Sequence, residues 1–364
     1  MSKVFYRKYR PQKFSEIIGQ DNIKQTLQNA IKTNNIAHAY LFCGPRGTGK
    51  TSTARIFAKS IFCQKRKENE SEPCTKCEFC TEIKEDNFID LIELDAASNR
   101  GIQEIRDLKE NIKTRPFKGK YKIYILDEAH QLTKEACNAL LKILEEPPEY
   151  IIFILATTDP EKMIPTILSR VQRFNFQRLT QKDIIQNLKN ICKKENITFD
   201  EPALKKIAIL ARGGMRDAES ILSQIATVNN EISLANVDDL THNVHFSNIQ
   251  EFVANMIKKD RKACLDFIYH LDDTGYSFDI FLTNLLEYFR KLILLKESES
   301  LEKLFIEENT QEELDILKDQ ASTIDLDLTK IITELSTALY TIKNTPFPIL
   351  SLELFIFKNI PCKK

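Results

Sequence analysis

A glycine-rich segment that ends in a lysine and a threonine is the first part of this sequence with an obvious capacity for chemistry. The chain contains nine glycines, and three of them fall within residues 44–49. Residues 44–51 match the phosphate-binding loop pattern, in which glycines let backbone N–H groups turn toward phosphates. Lys50 is expected to reach β- and γ-phosphates, and the Thr51 hydroxyl to hold Mg²⁺. A plain glycine turn is the alternative. The predicted nucleotide-binding residues of this segment are Gly44, Pro45, Arg46, Gly47, Thr48, Gly49, Lys50 and Thr51.

A pair of acids follows the apolar residues 123–126. Asp127 is suited to bind Mg²⁺ through water, and Glu128 to polarise a water molecule that attacks a γ-phosphate. In isolation, a solvated pair of charges after an edge strand would be the better interpretation. The phosphate-loop pattern earlier in the chain favours the catalytic interpretation, with Glu128 as a catalytic residue and Asp127 as a ligand of Mg²⁺ and nucleotide.

Strands and helices of recognisable pattern must position these residues. The apolar runs 39–43, 123–126 and 151–156 predict buried strands, and residues 50–62 predict a helix directly after the loop. The third strand is followed by Thr157 and Thr158. Buried strands separated by helices, with polar residues at their carboxyl ends, predict a parallel α/β sheet whose ligand lies along that edge.

Four cysteines, Cys63, Cys74, Cys77 and Cys80, are spaced like ligands of a metal ion. Two adjoining Cys-x-x-Cys steps and one upstream thiol supply the four soft ligands of a tetrahedral Zn²⁺. The polar residues 64–73 between them have no core of their own, so a metal would order this excursion. We predict a structural zinc module, with reduced free thiols as the alternative. The remaining cysteines are expected to be packing residues: Cys43, Cys137, Cys192, Cys264 and Cys362.

Composition excludes several classes of protein. The chain has 364 residues, 42% hydrophobic and 29% charged, which is typical of globular domains and not of disordered chains. No run approaches the apolar length of a membrane span, and no secretory signal is visible, so a cytoplasmic location is expected. The 52 basic and 52 acidic side chains cancel. Residues 1–60 nevertheless carry 11 basic and 2 acidic side chains, which favours contact with a polyanion at that end.

Together these stretches resemble the gamma/tau subunit family of bacterial DNA polymerase III, the ATPases of the sliding-clamp loader in the AAA+ superfamily. The resemblance covers residues 3–226. It rests on residues 6–11 with Phe14, Gly19 and Gln20, the phosphate loop, and residues 94–98, 127–130, 139–142, 144–148, 156–160, 166–170 and 216–218.

The resemblance implies roles for three further residues. Thr158 would be a first sensor that contacts the γ-phosphate or the attacking water, and Arg216 a second sensor that closes a lid on the same subunit's ATP. Arg170 would be an arginine finger in the ATP site of the neighbouring subunit. The family commonly has a cysteine after this arginine, where Val171 stands here. A surface ion pair is the alternative for either arginine.

The resemblance also implies the domain organisation. An AAA+ parallel-sheet nucleotide-binding domain would span residues 1–178 and include the zinc module at about 63–80. A small helical lid would span 179–242, where Thr180 is a plausible N-cap before a helix. An all-helical oligomerisation collar would span 243–364, where apolar residues recur at helical spacing between Phe278 and Leu292. The chain ends at Lys364, which by resemblance corresponds to the short form of the family.

The expected function is that of an ATPase subunit of the clamp loader, which uses ATP to load the sliding clamp onto primed DNA. The expected cofactors are ATP, Mg²⁺ and structural Zn²⁺. The expected partners are delta-type and delta-prime-type subunits, further copies of this chain, the clamp and primer-template DNA, with no membrane. Polymerisation itself is expected in another subunit. Two alternatives remain, an ATP-binding scaffold with little turnover and another AAA+ DNA motor. Candidate contacts to DNA phosphates are Lys3, Arg7, Lys8, Arg10 and Lys13.

Overall fold

The phosphate loop begins at the end of β1 in a parallel sheet. The computed structural model describes residues 4–98, 110–228, 230–241, 246–298, 305, 309, 311–342 and 345–361. Within them, the sheet has five strands in the order β2-β3-β4-β1-β5. The strands are β1 (Ala39–Cys43), β2 (Leu91–Asp95), β3 (Lys122–Asp127), β4 (Ile151–Thr157) and β5 (Gln172–Asn175). All four pairings are parallel, which confirms the predicted sheet.

Alternate residues of the central strands supply two hydrophobic layers. Leu41 on β1 faces one layer, and Tyr40 and Phe42 face the other. The first layer also contains Leu140 and Ala136, whereas the second contains Phe57 and neighbouring residues of the helix after the loop. Because both faces are covered, β1 and β4 are buried along their whole length, as expected for the interior of a parallel sheet.

Helices of the first part of the chain connect and cover the sheet. The helix after the loop, α3, has the bounds that the sequence predicts. Residues 1–232 and 233–364 form two compact units. In the first unit the helices are α1 (Phe5–Lys8), α2 (Asp21–Lys32), α3 (Lys50–Phe62), α4 (Glu78–Lys84), α5 (Lys134–Glu145), α6 (Pro165–Leu168), α7 (Gln181–Glu195), α8 (Glu201–Leu210) and α9 (Met215–Val228).

The residues that follow the sheet, up to residue 232, form helices and two short strands. Thr180 caps α7 by accepting a hydrogen bond from the backbone of Asp183, as predicted. A pair of two-residue parallel strands, β6 (Thr198–Phe199) and β7 (Glu231–Ile232), joins the ends of this region. The sequence does not predict these strands, because two residues are too few for an alternating pattern to be visible.

The second compact unit is helical in its described residues. Its core gathers the predicted apolar residues between Phe278 and Leu292 on α13, and all of them are buried. Phe252 and Phe281 pack edge to face with ring centroids 5.2 Å apart. The helices of this unit are α10 (Leu234–Thr241), α11 (Phe246–Ile257), α12 (Arg261–Asp273), α13 (Phe278–Glu297), α14 (Gln311–Thr323), α15 (Leu328–Ile342) and α16 (Pro348–Asn359). In the described ranges, no helix of the protein has both the length and the apolar character to cross a membrane.

Candidate nucleotide site

The loop between β1 and α3 has a backbone shape that depends on glycine. Gly44 and Gly47 have φ values of 147° and 77°, which side-chain-bearing residues rarely adopt. A Cβ atom on Gly44 would lie 2.4 Å from the backbone oxygen of Phe176, and one on Gly47 would lie 2.9 Å from the Cα of Gly214. The glycines therefore allow two other segments to approach the loop closely.

Lys50 and Thr51 lie where the loop becomes α3. The Lys50 ammonium group donates to the backbone oxygens of Gly44 and Pro45 at 2.8 and 2.9 Å. Burial lowers the pKa of Lys50, and the carboxylates of Glu128 and Asp127 oppose that effect. The Thr51 hydroxyl donates to Asp127 Oδ2 at 2.7 Å, so the two predicted Mg²⁺ ligands are direct neighbours. Adjacent hydroxyl and carboxylate oxygens are the ligands that a hard cation such as Mg²⁺ prefers.

Glu128, the carboxylate predicted to be catalytic, lies at the same edge of the sheet. Glu128 follows β3 with a positive φ of 47°. Its carboxylate accepts a hydrogen bond of 2.9 Å from the hydroxyl of Thr158, which follows β4. His130 lies beside this pair, with Nδ1 3.0 Å from the Thr157 hydroxyl and 3.4 Å from Glu128 Oε2. The turns after β3 and β4 thus bring Glu128 and Thr158 together.

A cleft of about 540 Å³ contains the loop and extends to α9. The backbone N–H of Met215 donates to the Gly47 oxygen at 3.0 Å, so α9 begins against the loop. Arg216 lines the cleft, and its guanidinium carbon lies 4.8 Å from the centre of the Tyr6 ring. The hydrogen bond between Arg216 and the Tyr6 hydroxyl lowers the pKa of that hydroxyl. The predicted residues that line the cleft are Arg46, Gly47, Thr48, Gly49, Lys50, Thr51, Asp127, Glu128 and Arg216.

Arg170 lies apart from these residues, after α6. Its guanidinium group donates to Glu145 Oε1 at 2.9 Å and to the Thr166 backbone oxygen at 2.9 Å. About a third of the Arg170 side chain is exposed. The Arg170 guanidinium group is therefore accessible at the surface of the chain, where it pairs with the Glu145 carboxylate at the end of α5.

The four predicted metal ligands form a compact cluster. The sulfur atoms of Cys63, Cys74, Cys77 and Cys80 all lie within 4.8 Å of one another. A tetrahedral zinc ion with Zn–S bonds of about 2.3 Å would bring them to about 3.8 Å, so the cluster needs little adjustment to hold one. The cysteines predicted to be packing residues, Cys43, Cys137, Cys192 and Cys264, are buried, and Cys362 lies outside the described residues.

Sequence reasoning missed several polar residues that line the cleft, among them Glu219 and Asn187. Glu219 on α9 and Asn187 on α7 both face it, and they are hydrogen-bonded to each other at 2.9 Å. One signal was present, because Glu219 interrupts the apolar face formed by Ala218, Leu222 and Ile225. An acidic residue on the buried side of a helix is uncommon and indicates a specific environment.

Two family models and several known proteins match parts of this chain. Residues 19–180 match the family model described as DNA polymerase III, delta subunit, and residues 183–230 match that of the DNA polymerase III clamp loader subunit, ATPase lid domain. The tau subunit of DNA polymerase III from Bacillus subtilis is 42% identical over 303 residues, 82% of this chain and 53% of that protein. The tau/gamma subunit from Haemophilus influenzae is 47% identical over 222 residues, 61% of this chain and 32% of that protein.

Among solved structures, the Holliday junction branch migration motor RuvB of Thermotoga maritima matches with a TM-score of 0.48 and 20% identity, over 68% of this chain and 79% of that one. The parallel sheet, the phosphate-loop sequence and the matched lid domain are typical of nucleotide-binding proteins with an ATPase lid. The chain belongs to the family of DNA polymerase III gamma/tau subunits, and it spans about half the length of the Bacillus subtilis relative.

Proposed function

We propose that this chain is an ATPase subunit of the clamp loader of DNA polymerase III. The observation that carries this proposal is the convergence of two hydrogen-bonded pairs at one edge of the sheet, Thr51 with Asp127 and Glu128 with Thr158. The first pair offers oxygen ligands for a cation, and the second offers a carboxylate for a water molecule. Family membership supplies the clamp-loading context.

Each polar group of the cleft has a task in the hydrolysis of ATP to ADP and phosphate. Loop N–H groups and Lys50 bind the β- and γ-phosphates, and Lys50 leaves its backbone partners to do so. Thr51 and Asp127 would hold Mg²⁺, which would neutralise charge that develops on the phosphates. Glu128 accepts the proton of the attacking water, and Thr158 orients Glu128 or the γ-phosphate.

Two arginines complete the site in this proposal. Arg216 moves from Tyr6 to the phosphates of the same chain, which closes the lid over ATP. Arg170 leaves Glu145 and enters the site of a neighbouring subunit, where it stabilises the charge of the transition state. The partial exposure of Arg170 supports this role, because a fully buried guanidinium group could not reach a second chain.

We further propose the domain boundaries and partners that the resemblance implies. Residues 1–178 form the ATPase domain, 179–242 the lid and 243–364 a collar that binds other subunits. The partners are delta-type and delta-prime-type subunits, copies of this chain, the clamp and primer-template DNA. Of the candidate phosphate contacts, Lys3 lies outside the described residues, and Lys8 pairs with Glu195 at 2.5 Å.

We also propose that the four-cysteine cluster binds Zn²⁺ as a structural ion. The donor set supports this, because four thiols that lie within 4.8 Å of one another match the ligand type and number of a closed zinc site. No position is left for a substrate, so a catalytic role for the ion is not part of the proposal.

Stimulation of ATP turnover tests the proposed function most directly. Purified chain, assembled with clamp-loader subunits of a relative, should hydrolyse ATP faster when primed DNA and clamp are both added. Lys50→Ala should abolish ATP binding, whereas Lys32→Ala, at an exposed position on α2, should leave it intact. If DNA and clamp do not raise ATP turnover although ATP binds, an ATP-binding scaffold is favoured. Unaltered ATP binding by Lys50→Ala would exclude residues 44–51 as the phosphate-binding loop.

A further inference from the structure

One helical turn beyond Met215 on α9, a buried acidic residue faces the cleft. The side chain of Glu219 is 7% exposed, and it lines the same cleft as the phosphate loop. Its partner is a neutral amide, since Asn187 Nδ2 donates to Glu219 Oε1 at 2.9 Å. Burial raises the pKa of Glu219 to about 7, and the hydrogen bond from Asn187 opposes this. A buried carboxyl group held by an amide needs a further explanation, because burial of such a group is costly.

The position of Glu219 along α9 indicates which part of a nucleotide it meets. The helix begins against the loop, where Met215 binds the Gly47 oxygen. Four residues further on, Glu219 lies about 6 Å away along the helix axis. Phosphates would repel a carboxylate that has no cation beside it, and the proposed cation site is at Thr51 and Asp127. The compatible neighbour of Glu219 is therefore the nucleoside.

The same cleft also has apolar walls, which suit a flat heteroaromatic ring. Apolar residues from three segments line it, namely Pro11, Ile17, Ile18 and Leu179. Ligand sites typically combine apolar walls with a few polar groups that fix orientation and specificity. Glu219 and Asn187 are polar groups of that kind. Asn187 Nδ2 donates to Glu219 Oε1 at 2.9 Å and to Met215 Sδ at 3.1 Å, so the group offered to a ligand is the second carboxylate oxygen of Glu219, a hydrogen-bond acceptor.

Adenine carries the matching donor, its 6-amino group, whereas guanine has an accepting oxygen at position 6. We propose that Glu219, positioned by Asn187, binds the 6-amino group of adenine and discriminates against purines with an oxygen at that position. This rests on the proposed function, in which the cleft binds ATP. A 6-oxo purine would place its oxygen against the carboxylate, which leaves both acceptors without a donor.

Competition between ATP and inosine triphosphate isolates this contact, because the two differ in the group at position 6. With the full chain at pH 8, ATP should bind about ten- to a hundredfold more tightly than inosine triphosphate. In Glu219→Gln this ratio should fall to about one, because an amide can turn either its oxygen or its nitrogen toward the base. Glu201→Gln, the same change at an exposed acid on α8, should keep the original ratio.

Three results would overturn the proposal or its basis. An unchanged ratio in Glu219→Gln would show that the carboxyl group does not contact the base. Loss of discrimination between ATP and dATP in Glu219→Gln, with the ATP to inosine triphosphate ratio retained, would assign Glu219 to the ribose. Failure of the unmodified chain to bind either triphosphate would overturn the proposed function itself. Lys50→Ala should abolish the binding of both triphosphates, whereas Glu219→Gln should change only their ratio, which separates the loop from the base contact.

Discussion

The nucleotide cleft and the four-cysteine cluster lie in the same compact unit, but they are built in opposite ways. The cluster takes all its ligands from residues 63–80, on a loop and the short helix α4. The cleft takes its lining from segments between Tyr6 and Glu219, which the sheet and the lid bring together. The cleft is therefore set by long-range packing, whereas the order of the cluster would depend mainly on the zinc ion that we propose it binds.

The scaffolding around the two sites supports this contrast. Next to the cleft, β1 and β4 are buried along their whole length, so the strand ends that carry the loop and Thr158 are rigidly placed. Next to the cluster, Phe79 is a partly buried apolar residue that packs against the cysteines. We expect changes in the cleft to alter chemistry without unfolding, and changes in the cluster to alter local structure without altering chemistry.

The largest effect on ATP turnover is expected when the carboxylate of Glu128 is replaced by an amide. Glu128→Gln should lower ATP turnover about 10²- to 10⁴-fold, because the amide cannot accept the proton of the attacking water. ATP affinity should stay within about twofold, because the phosphates are bound by the loop. Steady-state turnover and equilibrium binding measure the two quantities.

Glu149→Gln, at an exposed position before β4, is the matched control and should turn ATP over normally. Normal turnover by Glu128→Gln would instead mean that another group positions the water. A simultaneous loss of binding and of thermal stability would contradict the view that the cleft is held by packing remote from Glu128.

Removal of zinc should give the next largest effect, and it should be local. Chelation, or Cys74→Ser, should remove one equivalent of zinc and increase amide hydrogen exchange in residues 63–80 by orders of magnitude, because the polar excursion has no other core. ATP affinity should change by less than about tenfold. Cys362→Ser, outside the cluster, should retain the metal.

Elemental analysis and exchange measured by mass spectrometry check both parts of this prediction. A chain that contains no zinc when purified from zinc-containing medium would exclude the proposed ion. Complete loss of ATP binding after chelation would contradict the independence of the two sites.

The sequence predicts that four cysteines lie together and that a glycine-rich loop joins β1 to α3, because both signals are short spacings. It also predicts β1, β3 and β4, whose apolar runs reflect burial on both faces. It does not predict β2 and β5, because these strands lie at the sheet edges and contain no buried residue, so a continuous apolar run is missing. The pairing of Glu219 with Asn187 cannot be predicted from the sequence for another reason. They lie 32 residues apart on two helices, and their pairing becomes apparent only in the folded lid.

The pH dependence of stability offers a smaller effect that is specific to the cleft. The pKa of Glu219 is raised from 4.5 to about 7 in the folded state by burial. Between these values the folded chain retains a proton that the unfolded chain has released. The contribution of Glu219 to the free energy of unfolding is therefore fully present below about pH 4.5 and is lost as pH rises through 7, by up to about 3 kcal/mol.

Glu219→Gln should remove this part of the pH dependence, so that its stability relative to the unmodified chain rises between pH 5 and pH 8. Urea unfolding at the two pH values measures the difference, and Glu201→Gln should follow the unmodified chain. Parallel curves for Glu219→Gln and the unmodified chain would mean that Glu219 titrates normally in the folded state.

The smallest expected effect tests whether the two sites are truly separate. Glu72, within the excursion between the cysteines, accepts hydrogen bonds from the backbone N–H groups of Phe14 and Ser15, both at 2.9 Å. Residues Ile17 and Ile18, a few positions later, line the cleft. Glu72→Gln should cost about 1 kcal/mol of stability, because one charged acceptor is replaced by a neutral one that cannot serve both donors equally well.

If the excursion is only attached to the cleft and does not shape it, ATP affinity in Glu72→Gln should stay within about twofold. Glu68→Gln, at an exposed position of the same excursion, should change neither quantity. A fall in ATP affinity of tenfold or more in Glu72→Gln would show that the excursion positions the segment before α2. The cluster would then act on the nucleotide through Phe14 and Ser15, and its zinc would belong to the architecture of the cleft.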